Sequence, residues 1–305
     1  MDYKTVYAYQ KMIQHVVQKN NDPFLLLLDT QWPSIRLGGF EWVLLLKKWE
    51  KLKLVVDEKL ADYHHNILFC DYPFLIDDVA VWDIVKIDSG RFDVKVLSKT
   101  DDYLLVEGLS DISLKPRKHV NLPGVKLKLL AISSRDRADL EFAVKNNFGY
   151  VALSFVSCED DVMQVRDILD RAWWREIKII SKIENASAIE SLDAIVRYSD
   201  MLMVARGDLW VELPYEKVPV FQREIIGTSQ KYQKPVIVAT EMLESMIEDT
   251  IPTRAEVSDV FDAVLQWVDY VMLSAETAIG KYPVKTVETM KKIISEAELY
   301  IKSVV

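Results

Sequence analysis

Two short stretches of the sequence place a lysine and two carboxylates where buried strands should end. The first, Ile177–Asn185, carries Lys182 and Glu184, and the second, Met203–Asp208, ends in Asp208. Both stretches contain apolar runs typical of strands buried on both faces. Because neighbouring parallel strands end at the same edge of a sheet, we expect the three side chains to meet there. Such a set can hold a divalent metal against a small anionic substrate.

Predicted strands and helices alternate along the C-terminal two-thirds of the chain, and these elements must position the three side chains. Apolar runs predict parallel strands at Tyr150–Phe155, Ile177–Ile183, Met201–Ala205, Pro235–Ala239 and Tyr270–Leu273. The segments between them have helical spacing, and Thr253 and Glu256 form a capping-box pattern at the start of one helix. Repeated strand–helix units predict a (β/α) barrel or a doubly wound sheet. Active groups would then lie at the carboxyl ends of the strands, where Glu276 also falls.

The first 120 residues follow a different pattern. Residues 5–20 predict a helix, and Phe24–Thr30 predicts one barrel strand. Residues 38–120 contain β-type patches, a turn signal at Asp88-Ser89-Gly90 and no strong helical stripe. We therefore expect three parts: an N-terminal helix and strand (1–37), an inserted β-rich lid domain (38–120) and the remainder of the barrel (121–305).

The composition favours a cytoplasmic protein that does not bind nucleic acid or membranes. The 305 residues are 50% hydrophobic, with a mean hydropathy of +0.03, which is enough to bury one large core. The net charge is −9, whereas phosphate neutralisation needs a basic face. The N-terminus lacks an apolar signal-peptide region, and the apolar runs at Leu25–Leu28 and Val43–Leu46 are far shorter than the ~20 residues that span a bilayer. Cys70 and Cys158 are expected to be reduced thiols.

Several motifs resemble those of pyruvate kinase, and they occur in that family's order. They are Leu28–Arg36, Val120–Gly124, Ser181–Asn185, Met203–Leu209, Lys234–Met246, Pro252–Glu256 and Met272–Ala278. The resemblance covers nearly the whole chain. It implies an eight-stranded α/β barrel of the TIM type with a mobile β-rich lid. It also implies Mg²⁺-dependent phosphoryl transfer from phosphoenolpyruvate to ADP, which gives pyruvate and ATP in glycolysis.

The resemblance implies a role for each matching residue near the predicted strand ends. Glu184 and Asp208 resemble the two carboxylate ligands of Mg²⁺ or Mn²⁺, which prefer hard oxygen ligands. Lys182 resembles the lysine that stabilises the transferring phosphoryl group and the enolate charge. Thr240 resembles a substrate-binding hydroxyl that takes part in proton delivery. The backbone N–H groups that resemble the binding site of the substrate carboxylate belong to Ala205, Arg206, Gly207 and Asp208.

Other matching residues resemble groups at the periphery of the site. Asp29 and Thr30 resemble ligands of a monovalent cation, and Arg36 resembles a nucleotide-phosphate contact. Glu244 and Arg254 are expected to form a buried structural ion pair.

The departures from the family pattern lie on the phosphate, monovalent-cation and lid side. The chain begins at the helix that should follow the second barrel strand, so it lacks an Arg-x-Asn-Phe-Ser motif that helps bind phosphate and K⁺. Trp32 and Ser34 replace Gly and Glu, Ser89 replaces an Asp of the lid, and Ser157 replaces an Arg. We also expect the family's C-terminal domain to be absent after the last barrel helix. We therefore expect an incomplete (β/α)8 barrel, a truncated and divergent family member, and a doubtful K⁺ requirement.

Two classes of function remain open at this point, with a third variant. The chain is either a pyruvate kinase-type enzyme, acting alone or with a partner chain, or a catalytically impaired or regulatory relative that keeps metal and pyruvate or oxalate binding. The retained groups could also catalyse a metal-assisted enolisation or decarboxylation of pyruvate or oxaloacetate. A barrel without two strands exposes two sheet edges, so we expect a homo- or hetero-oligomer in which another chain closes the gap.

Overall fold

The computed structural model describes residues 3–20, 24–31, 35–125, 127–128, 132–171, 174 and 176–304. The strands are β1 (Leu27–Asp29), β2 (Leu44–Leu46), β3 (Lys51–Val55), β4 (Ile67–Phe69), β5 (Ile84–Ile87), β6 (Phe92–Lys99), β7 (Tyr103–Gly108), β8 (Ile112–Leu114), β9 (Val120–Asn121), β10 (Tyr150–Leu153), β11 (Lys178–Ile183), β12 (Met201–Ala205), β13 (Val236–Ala239) and β14 (Tyr270–Val271). The α-helices are α1 (Tyr3–Asn20), α2 (Leu75–Asp78), α3 (Ser134–Lys145), α4 (Glu159–Arg171), α5 (Ala186–Glu190), α6 (Leu192–Tyr198), α7 (Arg206–Glu212), α8 (Val218–Lys231), α9 (Arg254–Leu265), α10 (Ala275–Ala278) and α11 (Pro283–Val304). Short 3₁₀ helices cover Glu58–Leu60, Tyr63–His65, Tyr215–Lys217 and Glu244–Ile247.

The first large sheet is parallel throughout and has the strand order β1-β10-β11-β12-β13-β14. Every residue of β12 and β13 is buried. Side chains on the outer face, such as Val204 and Val238, pack with the helices, whereas Met203 and Ala239 join a smaller cluster on the inner face. Burial on both faces explains the apolar runs without alternation, and the predicted α/β architecture with a curled, incomplete barrel is confirmed.

Two strands of this sheet are edges within the described part of the chain. Strand β1 pairs only with β10, and β14 pairs only with β13. Strand β1 is three residues long instead of the predicted seven, and Leu25 and Leu27 are exposed. Strand β14 is likewise two residues long instead of the predicted four.

The second large sheet lies between β1 and β10 along the chain and has the order β4-β3-β7-β6-β5-β9. Strands β2 and β8 form a separate two-stranded sheet. The segment has its own apolar core, in which Leu54, Leu68, Val85 and Val94 are fully buried. Two separate cores support the predicted insertion, and its boundaries at residues 38 and 120 stay a prediction.

Among the described helices, none combines the length and the apolar character needed to cross a membrane.

The predicted capping box at the start of α9 is confirmed. Glu256 N–H donates to Thr253 Oγ1 at 3.3 Å, and Thr253 N–H donates to Glu256 Oε2 at 2.7 Å. Each residue thus supplies the acceptor for a backbone N–H group that the helix leaves unpaired. The cap fixes the start of the helix that carries Asp259, a residue on which the site below depends.

Replacing the capping hydroxyl should destabilise the protein without altering the fold. We expect Thr253→Ala to lower the free energy of unfolding by about 1 kcal/mol, because a side-chain acceptor for an unpaired N–H group is lost. The matched control is Thr253→Ser, which keeps the oxygen. Urea unfolding followed by circular dichroism measures both variants. Equal stability of Thr253→Ala and Thr253→Ser would show that the box does not hold the helix.

Candidate active site

A cleft of about 760 Å³ lies where the parallel strands end and residues of the second sheet approach them. The predicted residues that line it are Asp29, Thr30, Arg36, Lys182, Glu184, Gly207 and Asp208. Strand β11 brings Lys182 and Glu184 there, β1 brings Asp29, and the first turn of α7 brings Asp208. Ala205, Arg206 and Thr240 are not lining residues and lie at the end of β12, the start of α7 and the end of β13.

Lys182 is the centre of a compact charge cluster. Its Nζ lies 3.1 Å from Asp29 Oδ1, 3.0 Å from Glu184 Oε1 and 3.0 Å from Ser154 Oγ. Burial by itself lowers the pKa of Lys182, but the carboxylates of Glu184 and Asp29 outweigh it and raise the pKa above the ordinary value. Lys182 therefore keeps its positive charge at neutral pH.

Glu184 is completely buried beside this lysine. Its Oε2 accepts a hydrogen bond from Phe155 N–H at 2.5 Å. Its Oε1 forms an ion pair with the Lys182 ammonium at 3.0 Å but accepts no hydrogen bond among the described residues. Burial raises the pKa of Glu184 to about 8; Lys182 opposes this shift and Asp208 adds to it. Three carboxylates thus surround one ammonium group.

The excess of carboxylates over ammonium groups and the position of Glu184 Oε1 fit the binding of a divalent cation. Burial also raises the pKa of Asp208, with partial compensation by Lys182. Within the described ranges, no cluster of three or more His, Cys, Asp or Glu side chains could hold a metal ion by itself. Mg²⁺ is commonly held by one or two carboxylates and completes its shell with water and substrate oxygens. Glu184 and Asp208 match that donor set, and Glu184 Oε1, which accepts no hydrogen bond among the described residues, is an available ligand.

The backbone at the start of α7 is held by an ion pair. Both Asp259 oxygens accept from Arg206 Nη1, at 2.7 and 2.6 Å, and Thr240 O accepts from Nη2 at 2.5 Å. The Arg206 side chain therefore points towards the end of β13 and helix α9, and it fixes the first turn of α7 there. Only its backbone could take part in carboxylate binding.

The Gly207 amide already has a partner. It donates to Thr240 Oγ1 at 2.8 Å, and this hydroxyl donates to Ala239 O at 2.7 Å. A Cβ added at Gly207 would approach Thr240 no closer than 3.6 Å, an ordinary contact, so the protein itself does not require glycine here. The missing side chain leaves room for a ligand beside the amide. Thr240 has a φ of +69°, which is rare for a β-branched residue.

Asp29 and Thr30 are tied to Ser154 and Lys182 in this structure. Ser154 N–H donates to Thr30 Oγ1 at 3.1 Å, and Ser154 Oγ lies 2.9 Å from Thr30 O and 3.2 Å from Asp29 Oδ1. These contacts use oxygens that a monovalent cation would need. The cation role of the two residues stays a prediction.

Three residues that the sequence did not single out also line the cleft: His119, Ser154 and Glu212. Burial is the main cause that lowers the pKa of His119, and the positive charge of Arg36 lowers it further. Burial raises the pKa of Glu212, which accepts from Asn121 Nδ2 at 2.9 Å. A signal for Glu212 was available, since it lies four residues after Asp208 and so on the same face of α7.

Two expectations about neighbouring residues are wrong. Glu244 and Arg254 are both exposed and form no ion pair with each other in the described structure; the ion pair of this region is Arg206–Asp259. Glu276 is fully buried and accepts from the backbone N–H groups of Leu243 and Ser274, so it is structural and does not line the cleft. Trp32 and Ser34 lie outside the described residues.

Comparisons with known proteins agree on one similarity. Residues 2–287 match the family model described as "Pyruvate kinase, barrel domain". A pyruvate kinase of Borreliella burgdorferi is 38% identical over 286 residues, which cover 94% of this chain and 59% of that protein. One from Geobacillus stearothermophilus is 39% identical over 289 residues, covering 94% and 49%.

A solved structure shows the same similarity. The crystal structure of a pyruvate kinase from Cryptosporidium parvum superposes with a TM-score of 0.94 at 37% identity, over 98% of this chain and 62% of that one. The chain thus spans between about half and three-fifths of the length of these relatives.

The buried carboxyl group predicts how stability depends on pH. Glu184 binds its proton up to a pKa of about 8 in the folded state, against an ordinary value of 4.5 when unfolded. The folded state therefore holds more protons between these values, and without divalent cations the free energy of unfolding should fall as pH rises through this window. We expect Glu184→Gln, which cannot ionise, to reduce that fall by more than about 1 kcal/mol.

The measurement is urea unfolding at pH 5, 6, 7 and 8 in a chelating buffer. Glu224→Gln, at an exposed position of α8, is the matched control and should keep the wild-type slope. An unchanged slope in Glu184→Gln would contradict the assigned direction of the pKa shift.

Proposed function

The chain belongs to the pyruvate kinase family, and we propose that it acts in Mg²⁺-dependent phosphoryl transfer from phosphoenolpyruvate to ADP, giving pyruvate and ATP. The observation that carries this proposal is the Lys182 cluster, in which a charged, anchored lysine lies between Asp29 and Glu184 at the strand ends. Phosphoryl transfer is mainly a matter of positioning and charge compensation, and both are provided by such a cluster.

Glu184 and Asp208 are the proposed ligands of Mg²⁺ or Mn²⁺. When bound, the metal would neutralise negative charge on the substrate oxygens. Lys182 is the proposed stabiliser of the transferring phosphoryl group and of the enolate. Its raised pKa makes it an electrostatic group and a poor proton acceptor at neutral pH. The ammonium donates to Asp29 and Ser154 and lies 3.0 Å from Glu184 Oε1, so a substrate anion must displace one of these contacts; Asp29, whose side chain is 58% exposed, is the most accessible.

Thr240 and the α7 backbone are the proposed substrate-binding groups. The N–H groups of the turn from Ala205 through Asp208 would bind the substrate carboxylate. The Gly207 N–H group becomes available to the substrate if the Thr240 hydroxyl rotates away from it. The rotated hydroxyl can then donate a hydrogen bond to the substrate, on the side of its reacting carbon. The uncommon backbone conformation of Thr240 is consistent with a position held for function.

Arg36 is the proposed nucleotide-phosphate contact. It lines the same cleft as Lys182, so a phosphate held by Arg36 would face the lysine cluster. Asp29 and Thr30 are proposed as the remnant of a K⁺ site, and we expect a weak K⁺ dependence because their oxygens are already bonded.

A second candidate function is a regulatory or catalytically impaired relative that binds metal and pyruvate or oxalate without efficient transfer. The observation in its favour is the charge of the cleft. Among the described lining residues, Arg36 and Lys182 are the only Lys or Arg, against five carboxylates, and Ser89 lines the wall where the family has an Asp. Few cations are then available for the phosphates of a nucleotide.

The open edges of the parallel sheet support a proposal about assembly. Among the described residues, β1 and β14 have a strand neighbour on one side only, and Leu25, Leu27 and Tyr270 are exposed there. We propose that further polypeptide covers these edges, in a homo- or hetero-oligomer. A cytoplasmic location is also proposed, supported by two free thiols, Cys70 and Cys158.

Replacing the central lysine tests the enzymatic proposal. We expect Lys182→Met to lower kcat for ATP formation from phosphoenolpyruvate and ADP by at least about 10³-fold, because the charge facing the transferring group is lost. The matched control is Lys178→Met on the same strand, where the lysine is exposed and pairs with Asp200.

A coupled assay with Mg²⁺ measures turnover of the three proteins. Near-normal kcat in Lys182→Met would contradict the proposed role. A wild-type chain that binds oxalate with Mg²⁺ but forms no ATP would favour the regulatory relative.

A further inference from the structure

A second cavity, of about 680 Å³, lies beside the cleft between the second sheet and helix α7. Lys86, Arg91 and Lys118 line it from the side of the second sheet, and Trp210 and Tyr215 line it from the side of the barrel. Its volume is within the range of small-molecule sites in proteins. Nothing in the proposed phosphoryl transfer uses this cavity.

One wall offers an aromatic surface. The rings of Trp210 and Tyr215 lie 5.4 Å apart at an angle of 30°. The two residues are 55% and 62% exposed, so most of their apolar area is not used in packing. Two adjacent exposed rings can stack with a planar aromatic group of a ligand. Such stacking removes apolar ring surface from water, which stabilises the complex.

The facing wall carries a net positive charge. The Lys86 side chain is half-buried and has no hydrogen-bond or ion-pair partner among the described residues, and its charge acts on the Glu212 carboxyl. Lys118 and Arg91 instead share Asp88, at 2.5 and 3.9 Å. Asp93 also lines the cavity, and its buried Oδ1 accepts no hydrogen bond from the part of the chain that the structure describes. Three cations and two carboxylates leave a net charge of about +1, which favours an anionic ligand.

We propose that this second cavity binds a small planar aromatic anion, such as an aryl monophosphate, with its ring on Trp210 and Tyr215 and its anionic group at Lys86. Combining a stacking surface with an unpaired, half-buried cation selects a ligand that carries both features.

The position of the cavity makes it a candidate regulatory site. Ser89, Trp210 and Val211 line both the cleft and the second cavity. The turn at Gly90 lies close against Val211, since a Cβ there would be 3.3 Å from Val211 Cγ1. A ligand between the turn and α7 therefore changes a wall of the cleft. This coupling rests on the proposed function of the cleft, whereas binding in the second cavity does not.

The test is calorimetric titration of the full chain with 1-naphthyl phosphate. We expect saturable binding of one molecule per chain, and affinities at least about tenfold lower for 1-naphthol and for inorganic phosphate, each of which lacks one of the two features. Tyr215→Ala and Lys86→Gln should each weaken 1-naphthyl phosphate binding by about tenfold. Neither residue lines the cleft.

Matched controls come from the same sheet. Trp82 is 64% exposed and has the Lys95 ammonium 4.7 Å from its ring centroid, but neither residue lines the cavity. Trp82→Ala and Lys95→Gln should therefore bind 1-naphthyl phosphate as the wild type does.

Three outcomes would overturn the proposal: no saturable binding, binding that Tyr215→Ala and Lys86→Gln leave unchanged, or complete displacement by oxalate with Mg²⁺, which would place the ligand in the cleft. Because the titration measures binding directly, it gives an answer even if the chain forms no ATP.

Discussion

The site depends on the burial of more negative charge than the protein itself neutralises. Lys182 is the single ammonium among Asp29, Glu184 and Asp208, and Glu184 is completely buried. Burying charged groups costs several kcal/mol each unless partners compensate them. The Phe155 N–H group and the Lys182 ammonium compensate part of that cost, and a proton or a cation must supply the rest. The strand ends are therefore arranged around a positive charge that the described residues do not supply.

The parallel sheet makes this arrangement possible because it brings together residues that are far apart in the sequence. Asp29 and Lys182 are separated by 153 positions, yet β1, β10 and β11 are consecutive strands that end at one edge. Helix α7 adds Asp208 to the same edge, and the Arg206–Asp259 ion pair fixes where that helix starts. If the strands did not end at one edge of the sheet, the Lys182 ammonium would lie apart from the carboxylates and could not neutralise their charge.

The sequence predicted the parallel strands and the meeting of Lys182, Glu184 and Asp208, because apolar runs and strand ends follow simple periodic rules. It did not predict that Arg206 would pair with Asp259, or that Ser154 would join β1 to Lys182, because those contacts depend on side-chain conformations. The prediction of a Glu244–Arg254 ion pair was wrong for the same reason. The second cavity depends on how α7 meets the inserted sheet, and no local pattern reports that placement.

The most direct test of the account is titration of the chain with Mn²⁺, followed by electron paramagnetic resonance, with and without oxalate. We expect one Mn²⁺ per chain, tighter Mn²⁺ binding with oxalate present, and a Mn²⁺ affinity about 10- to 100-fold lower in Asp208→Asn. Equal Mn²⁺ affinity in the wild type and in Asp208→Asn, or oxalate binding that does not depend on the metal, would contradict it.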